Sequence, residues 1–599
     1  MYRQPPRSVF QYESAVPLIF RTLFSVPFLV ASLVSPQAWA KLDIEIIGLQ
    51  GELLTQAEQS VTANDYKDRS DLGELLIRQL YERGEDQLKV ALQPLGYYQV
   101  SVKSSIKQDD ADSDRWFFRY ELTAGPRSNW SKVTTGLTDD SPPDVALQTL
   151  FSKSKLVANM PVDHRDYSSL KAAVQTSAAE RGYFDARWIQ HQLAVKQKSN
   201  GVVRVEANLL FESGDRYRFG ETIWPDLPFS SRYIRRFSLI EAGQPFSADA
   251  LRKLQYRLLD SGYFDDVDVV PNVSGNQDKQ VPLVLNLELR PRNRYTAGFG
   301  VGTDTGIRGT AAWETRAINR HGHRAGVEIQ LSEIAQSLNT RYEIPIRDPA
   351  TDRLRLSLDS QITKQPDSES VLNRAALEWR IDRNAWTWKS FIRLENELST
   401  ISGVDSTSNL VIPGIGAERT RSDARLRPAR GYRLNLQLLG AHQDAFSDST
   451  FAQVTGRVAA LTSLSDKWRI KARLEGGMNA VGEFSNLPVS QRFFAGGDSS
   501  VRGFAYQSLS PVDSNGEQVG GQYLLAGSVE LEWAFLPQYG VALFMDVGNS
   551  FDDKPALRRA AGIGFRWQLP VGALRIDVAT PIDEDGYSPR LHISLGPDL

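Results

Sequence analysis

The 599-residue chain contains no cysteine, which excludes a disulfide framework, thiolate metal sites and cysteine nucleophiles. Charge of one sign is also lacking: 69 lysines and arginines face 72 aspartates and glutamates, and a net charge of -3 offers no electrostatic footprint for nucleic acid. Charged or strongly polar residues interrupt every apolar run after Val34, so no later segment is long enough to cross a bilayer as a helix. Signatures of catalysis are missing too. There is no Gly-x-Ser-x-Gly elbow, no phosphate-cradling glycine loop and no His-Glu-x-x-His helix. The six histidines (His164, His191, His321, His323, His442 and His592) are scattered, and only His321 and His323 lie close, in a loop where a solvated pair is far commoner than a metal site. No catalytic residue, cofactor or metal ligand is therefore expected.

What is present begins with an export signal. Arg3, Arg7 and Arg21 precede the thirteen-residue apolar stretch Thr22 to Val34, and Ala38-Trp39-Ala40 then sets small residues at the positions a signal peptidase reads. Thirteen residues with Pro27 among them fall short of the roughly 20 that span a bilayer, so residues 1–40 are expected to be removed, leaving Lys41 as the mature start.

The length exceeds one ordinary domain and suggests about four units. From Lys41 to about Pro291 one pattern recurs: an apolar helix, a Gly-aromatic-aromatic turn, a strand, a polar gap and another strand. The turns are Gly96-Tyr97-Tyr98, Gly182-Tyr183-Phe184 and Gly262-Tyr263-Phe264, spaced 86 and 80 residues apart. Each glycine ends its helix where positive φ is favoured, and the aromatics pack the next strand against that helix. Before the third turn Ser247 is a helix N-cap, with Leu251, Leu254, Leu258 and Leu259 at helical spacing on one face. The expected boundaries are 41–124, 125–214 and 215–291.

From Tyr295 the period changes to two. Leu354, Leu356 and Leu358 interleave with Arg355, Ser357 and Asp359; Trp468, Ile470, Ala472 and Leu474 interleave with Arg469, Lys471, Arg473 and Glu475. Tyr432, Leu434, Leu436 and Leu438 alternate with Arg433, Asn435 and Gln437, and Leu574, Ile576 and Val578 with Arg575 and Asp577. A soluble sandwich would alternate in the same way. Scale weighs against it, because about 305 residues of such strands with scarcely a helix exceed an ordinary sandwich. At roughly 19 residues per strand and connection, residues 292–599 predict a transmembrane barrel of about 16 antiparallel strands.

Two motifs lie within that region. Val501-Arg502-Gly503-Phe504 sits in a loop rich in Gly, Ser and Asp, and Phe544-Met545-Asp546-Val547-Gly548 reads as a strand that ends in a turn. A guanidinium offers a rigid fork that fits a carboxylate bidentately, so Arg502 and Asp546 are expected to pin the loop tip to an inner wall. The first and last strands, near Tyr295–Gly302 and Leu591–Leu595, must pair if the barrel closes. Gly298, Gly300 and Gly302 supply no packing on one face, and Gly596-Pro597 stops the ladder early, so a weak lateral seam is expected there, with Leu591, Ile593 and Leu595 on its other side.

These features resemble the outer-membrane assembly superfamily of BamA, TamA and the TpsB exporters. The repeats resemble POTRA domains, Val501–Phe504 resembles the loop-six motif, Asp546 its carboxylate-bearing strand, and Arg427-Pro428-Ala429-Arg430-Gly431-Tyr432 the Pro-x-x-Gly turn before a barrel strand. Three repeats is the count of the TamA branch, against two in TpsB exporters and five in BamA. The resemblance implies α+β periplasmic repeats before an outer-membrane barrel, a TamB-like inner-membrane-anchored periplasmic partner, contact with outer-membrane lipid, and unfolded clients such as autotransporters. A TpsB-like secretion channel and a passive channel or receptor are the alternative functions.

Overall fold

A computed structural model describes residues 41–599 except 68, 70–71, 110–114, 198–201, 274–277, 305, 365–367, 402, 425–426, 571, 584–587 and 597–599. The expected export signal and Pro597 thus lie outside the described residues.

The N-terminal half builds one small sheet three times. The first comprises β1 (Lys41–Ile47), α1 (Glu52–Ser60), α2 (Glu74–Ala91), β2 (Ser101–Gln108) and β3 (Arg115–Thr123). The second has β4 (Trp130–Leu137), α3 (Val145–Ser152), α4 (His164–Arg181), β5 (Arg187–Gln197) and β6 (Val203–Glu212). The third has β7 (Arg218–Ile223), α5 (Ser231–Ile234), α6 (Ala248–Asp260), β8 (Phe264–Pro271) and β9 (Gln280–Leu289). Strand orders are β1-β3-β2, β4-β6-β5 and β7-β9-β8, each with a parallel pair on one side of the middle strand and an antiparallel pair on the other.

The period-two pattern explains why the last strand of each repeat takes the middle. Trp116, Phe118, Tyr120 and Leu122 of β3 point into a core, as do Val205, Ala207, Leu209 and Phe211 of β6 and Val281, Leu283 and Leu285 of β9. Leu254 and Leu258 of α6 are buried in the third core, Leu251 and Leu259 pack at its margin, and the Ser247 hydroxyl accepts the Ala250 N–H at 3.4 Å. Gly96, Gly182 and Gly262 have φ of 89°, 88° and 76°. At Gly182 a Cβ would also stand 2.6 Å from the Phe246 Cβ, so both conformation and space require glycine there.

The second half is one antiparallel sheet of sixteen strands in sequence order. They are β10 (Asn293–Gly302), β11 (Gly306–Thr315), β12 (Arg324–Leu331), β13 (Ala335–Pro345), β14 (Asp352–Lys364), β15 (Ser368–Arg383), β16 (Trp386–Ile401), β17 (Val404–Ser422), β18 (Arg430–Ala441), β19 (Phe451–Ser463), β20 (Trp468–Val481), β21 (Tyr523–Ala534), β22 (Tyr539–Phe551), β23 (Arg558–Leu569), β24 (Gly572–Pro581) and β25 (Arg590–Gly596). Leu356, Leu358, Leu436, Leu438, Trp468 and Leu474 face outward and are exposed, as lipid-facing residues of a barrel are. The inner face carries cross-strand ion pairs, among them Arg355–Glu343, Arg374–Glu395, Lys389–Glu418 and Lys471–Glu532, at 2.7, 2.6, 3.1 and 2.7 Å. Among the described residues no helix is long and apolar enough to cross a membrane.

The chain divides into two compact units, the residues up to Gln175 with Arg187–Glu212, and Thr176–Ala186 with Ser213–Leu599. Within the second unit the third repeat is fixed to the turns at one end of the barrel. Arg257 clamps Asp348 with bonds of 2.9 and 2.8 Å, Arg236 donates to the Ile346 and Arg347 carbonyls at 2.6 Å, and the Tyr263 hydroxyl donates to the Gly322 carbonyl at 2.5 Å. Arg324 lies 4.2 Å above the Tyr263 ring, a cation–π contact.

Candidate functional site

The long connection between β20 and β21, residues 482–522, lies against the inner wall of the barrel. Its tip is Val501-Arg502-Gly503-Phe504, four residues that are all buried. The valine and phenylalanine give the tip an apolar footing: Val501 and Phe504 pack with Ala495, Leu509, Ala526 and Ala560. Gly503 has φ of 92°, and a Cβ there would approach the Ala560 Cβ at 3.1 Å, so only glycine lets the tip lie this close to the wall.

Arg502 is 6% exposed and fully engaged. Its Nε donates to Asp546 Oδ2 at 2.8 Å and its Nη2 to Asp546 Oδ1 at 2.9 Å, the bidentate fork. The remaining donor positions reach other strands: Nη1 donates to Glu530 and Asp577 at 3.0 and 2.9 Å, and Nη2 to the Ser528 hydroxyl at 3.1 Å. Phe544, two residues before Asp546, lies under the guanidinium at 3.4 Å from its ring centroid. Gly548 shares this inner face, where a Cβ would meet the Leu525 carbonyl oxygen at 2.7 Å.

Around that centre is a layer of alternating charge. Arg566 bridges Glu530, Glu532 and Asp577, Arg469 and Lys471 converge on Glu532, and Arg473 donates to the Ser500 carbonyl at 2.6 Å. Near the tip, cationic Arg469, Lys471, Arg473, Arg502 and Arg566 thus meet anionic Glu530, Glu532, Asp546 and Asp577. Buried charges persist only when paired in this way.

The first and last strands stand at opposite ends of the sixteen-strand order. Sequence reasoning expected β10 to pair with the Leu591–Leu595 stretch. Among the described residues no ladder joins them. β25 is bonded to β24 along Arg590–Gly596, while Gly298, Gly300 and Gly302 face Thr310, Arg308 and Gly306 of β11. The two edges meet just beyond β10, where the Thr303 N–H donates to the Ile593 carbonyl at 3.3 Å and the Ile593 N–H donates to the Thr303 hydroxyl at 3.1 Å.

Loop six reaches this junction also. Asp498 accepts the Thr303 hydroxyl proton at 2.9 Å, its N–H donates to Asp304 Oδ2 at 2.5 Å, and it lies 2.6 Å from His592 Nδ1. His592 Nε2 accepts the Gly503 N–H at 2.9 Å, which places the ring proton on Nδ1, toward Asp498. Ligand atoms of Asp304, Asp498 and His592 lie within 4.8 Å of one another, yet both ring nitrogens are occupied by hydrogen bonds, so the imidazole has no lone pair for an ion. Burial, and then the adjacent Asp498 carboxylate, push the Asp304 carboxyl up to about 6.

The structure therefore brings Val501–Phe504 together with Phe544 and Asp546 and sets β10 beside β25, while the repeat turns lie elsewhere: the Gly96 carbonyl accepts the Ser128 N–H and the Gly182 carbonyl the Tyr217 N–H, both at 2.9 Å, so each turn meets the start of the next repeat. Sequence reasoning did not single out Glu530, Asp577, Arg566, Thr303, Asp304, Asp498 or His592 as members of the site. The available signal was partial: Asp498 stands in the same glycine-rich run as Arg502, and Asp577 on the charged face of an alternating strand.

A sixteen-strand, nearly closed barrel with repeated small α+β sheets ahead of it defines the class: an outer-membrane β-barrel protein with periplasmic POTRA domains. Known families agree. Residues 319–598 match the Omp85 superfamily domain model, residues 43–124 match domain 1 of the TamA POTRA model, and residues 226–289 match the surface antigen variable number repeat, a POTRA model. Residues 319–598 thus carry an Omp85 superfamily domain, preceded by POTRA domains. Among curated relatives, outer membrane protein assembly factor BamA of Nitratidesulfovibrio vulgaris is 24% identical over 61% of this chain and 49% of its own length. BamA of Neisseria meningitidis serogroup B is 20% identical over 81% of this chain and 68% of its own. Against the first of these, and against BamA of Neorickettsia risticii, the chain spans about half the relative's length. The crystal structure of Haemophilus ducreyi BamA lacking POTRA domains 1-3 superposes with a TM-score of 0.64 at 17% identity, covering 78% of this chain and all of that one, a likeness of fold.

Proposed function

We propose that this chain is an outer-membrane assembly or translocation factor of the TamA type, which inserts or exports β-barrel clients such as autotransporters through the opening between β10 and β25. The observation that carries the reading is the seam. Among the described residues both edges end the sheet with no ladder between them beyond the Thr303–Ile593 contact, so each offers an edge on which a client strand can add by β-augmentation. A passive channel gains nothing from such an edge, which in a closed barrel is a liability. A loop pinned across the inner wall also does not serve an open pore.

The TamA branch is supported by the match of the TamA POTRA model to residues 43–124 and by three repeated sheets. On this reading the domains are 41–124, 125–214 and 215–291 in the periplasm and 292–599 in the membrane. The partner is a TamB-like inner-membrane-anchored periplasmic protein, and the clients are unfolded outer-membrane proteins.

The test uses the cysteine-free background. Extending the Thr303–Ile593 contact by two residues sets Val301 opposite Leu595, and cysteines at these two positions are expected to lock the seam on oxidation. Client insertion should then stop and return on reduction; undiminished insertion through a fully crosslinked seam rules the gate out. Crosslinked envelopes should co-purify a TamB-like protein, and a steady wide-open conductance would favour the passive channel instead.

A further inference from the structure

We infer that Asp498 is a clasp: loop six holds the two free edges of the barrel together through this residue, in addition to anchoring itself through Arg502. The inference rests on the lateral-seam part of the proposal above.

The two edges make few bonds of their own, the pair between Thr303 and Ile593 at 3.3 and 3.1 Å. The loop adds more than these. Asp498 takes the Thr303 hydroxyl at 2.9 and 3.2 Å and binds Asp304 through its N–H at 2.5 Å, both just beyond β10. On the other edge the same carboxylate holds His592 Nδ1 at 2.6 Å, and Gly503 N–H holds the opposite side of the ring at 2.9 Å. His592 is 5% exposed and is gripped at both nitrogens by one loop. One carboxylate oxygen, Oδ1, thus bridges a side chain from each edge, and the hydroxyl it orients is the group that accepts the Ile593 N–H. Removing Asp498 therefore frees Thr303 to rotate and weakens the direct contact as well.

The positions involved are distinct from the anchor. Arg502 is bound to Ser528 and Glu530 of β21, Phe544 and Asp546 of β22 and Asp577 of β24, strands that are each laddered to neighbours on both sides. Asp498 is bound to the two edges that lack that support.

Spin labels at Val301 and Leu595 of the full chain in lipid bilayers would read the seam distance, with labels at the paired, outward-facing Ile563 and Val578 as a control. Asp498→Ala is expected to raise the open-to-closed ratio about tenfold or more, because at least two charge-assisted hydrogen bonds are lost. Asp498→Asn keeps an acceptor for Thr303 and His592 and should retain most of the closed population. Thr303→Val, which should fold even if Asp498→Ala does not, is expected to open the seam in the same direction. An unchanged seam distance in these variants overturns the clasp, as does equal broadening at the control pair, which would mark general loosening. The distances are measured without client, so a clasp that holds in a protein that inserts nothing would sink the assembly reading and leave this one standing.

Discussion

Replacing Arg502 with alanine removes the bidentate bond to Asp546, the bonds to Glu530, Asp577 and Ser528, and the contact over Phe544. Three carboxylates are then left in the wall with exposures of 0%, 7% and 4%, where solvent screens them little. Arg566 still neutralises Glu530 and Asp577, so the uncompensated charge is chiefly that of Asp546. Breaking one side of such a buried pair costs about 3 to 5 kcal/mol, a change of roughly 10²-fold to several thousandfold in the ratio of detached to docked loop. Hydrogen exchange reads that ratio directly, since the Arg502 and Gly503 amides donate to Asp546 and His592 of the wall. Protection at both should fall by about that factor. Arg502→Lys should recover part of it, because an ammonium satisfies one carboxylate but lacks the fork. In the Arg502→Ala background, Asp546→Asn should cost much less than in the parent, the signature of a coupled pair. Protection unchanged by Arg502→Ala, or strictly additive costs, would refute the assignment of the anchor.

Other expectations follow from the same geometry. Gly182→Val should destabilise the junction of the second and third repeats, because it forces a β-branched residue into positive φ against Phe246; thermal unfolding of residues 41–291 would show it, and an unshifted midpoint would count against the turn's role. Arg257→Ala should loosen the third repeat from the barrel turns, read as faster exchange at Asp348 and its neighbours. Burial would raise the Asp348 carboxyl, but Arg257 together with the Ala350 N–H and the Thr351 hydroxyl holds it below its ordinary value, so the stability these contacts give is present above about pH 4 and fades as pH falls further. Asp304 has the opposite sign. Its raised folded value means the folded chain binds the proton more tightly, so the stability Asp304 contributes is fully present below about pH 4 and is lost as pH rises through about 6, with Asp498, His592, Arg590 and Tyr506 as the facing groups. Asp304→Asn should flatten that slope in a pH series of unfolding midpoints.

The sequence made the pattern of the elements readable and left their partners obscure. Alternation at Leu356, Leu436 and Trp468 reports which face is oily, and the glycine turns report where helices stop; both are local properties of the chain. The Arg502–Asp546 contact was readable because a fork and a carboxylate stood out in two short motifs. Glu530 and Asp577 complete the same site from 28 and 75 residues away, and their convergence depends on sheet register, which no local pattern encodes. His592 reads as one scattered histidine among six, and its position against Asp498 emerges only when the last strand is laid beside the first. Glycines at 298, 300 and 302 pointed to a weak seam, yet among the described residues β25 is laddered to β24 alone and reaches the other edge only at Thr303, a pairing that no local pattern encodes.

Anchor and clasp occupy one short loop, four residues apart, and the difference in what they grip orders their dependence. Arg502 is tied to strands fixed on both sides, so its position does not require that the edges be joined. Asp498 can bridge Thr303 and His592 only while the tip is docked, because the distances of 2.9 and 2.6 Å are set by where the anchor places the loop. Arg502→Ala should therefore open the seam, lengthening the Val301–Leu595 distance, whereas Asp498→Ala should open the seam and lower Arg502 N–H protection by no more than the factor by which it opens the seam, about tenfold, well short of the loss in Arg502→Ala. Coupling free energies are reciprocal, so some return effect is required, but it is bounded by the small strength of the clasp relative to the anchor. A loop that detached as fully in Asp498→Ala as in Arg502→Ala would show that the two contacts form a single cooperative unit and that the ordering argued from the strands is mistaken.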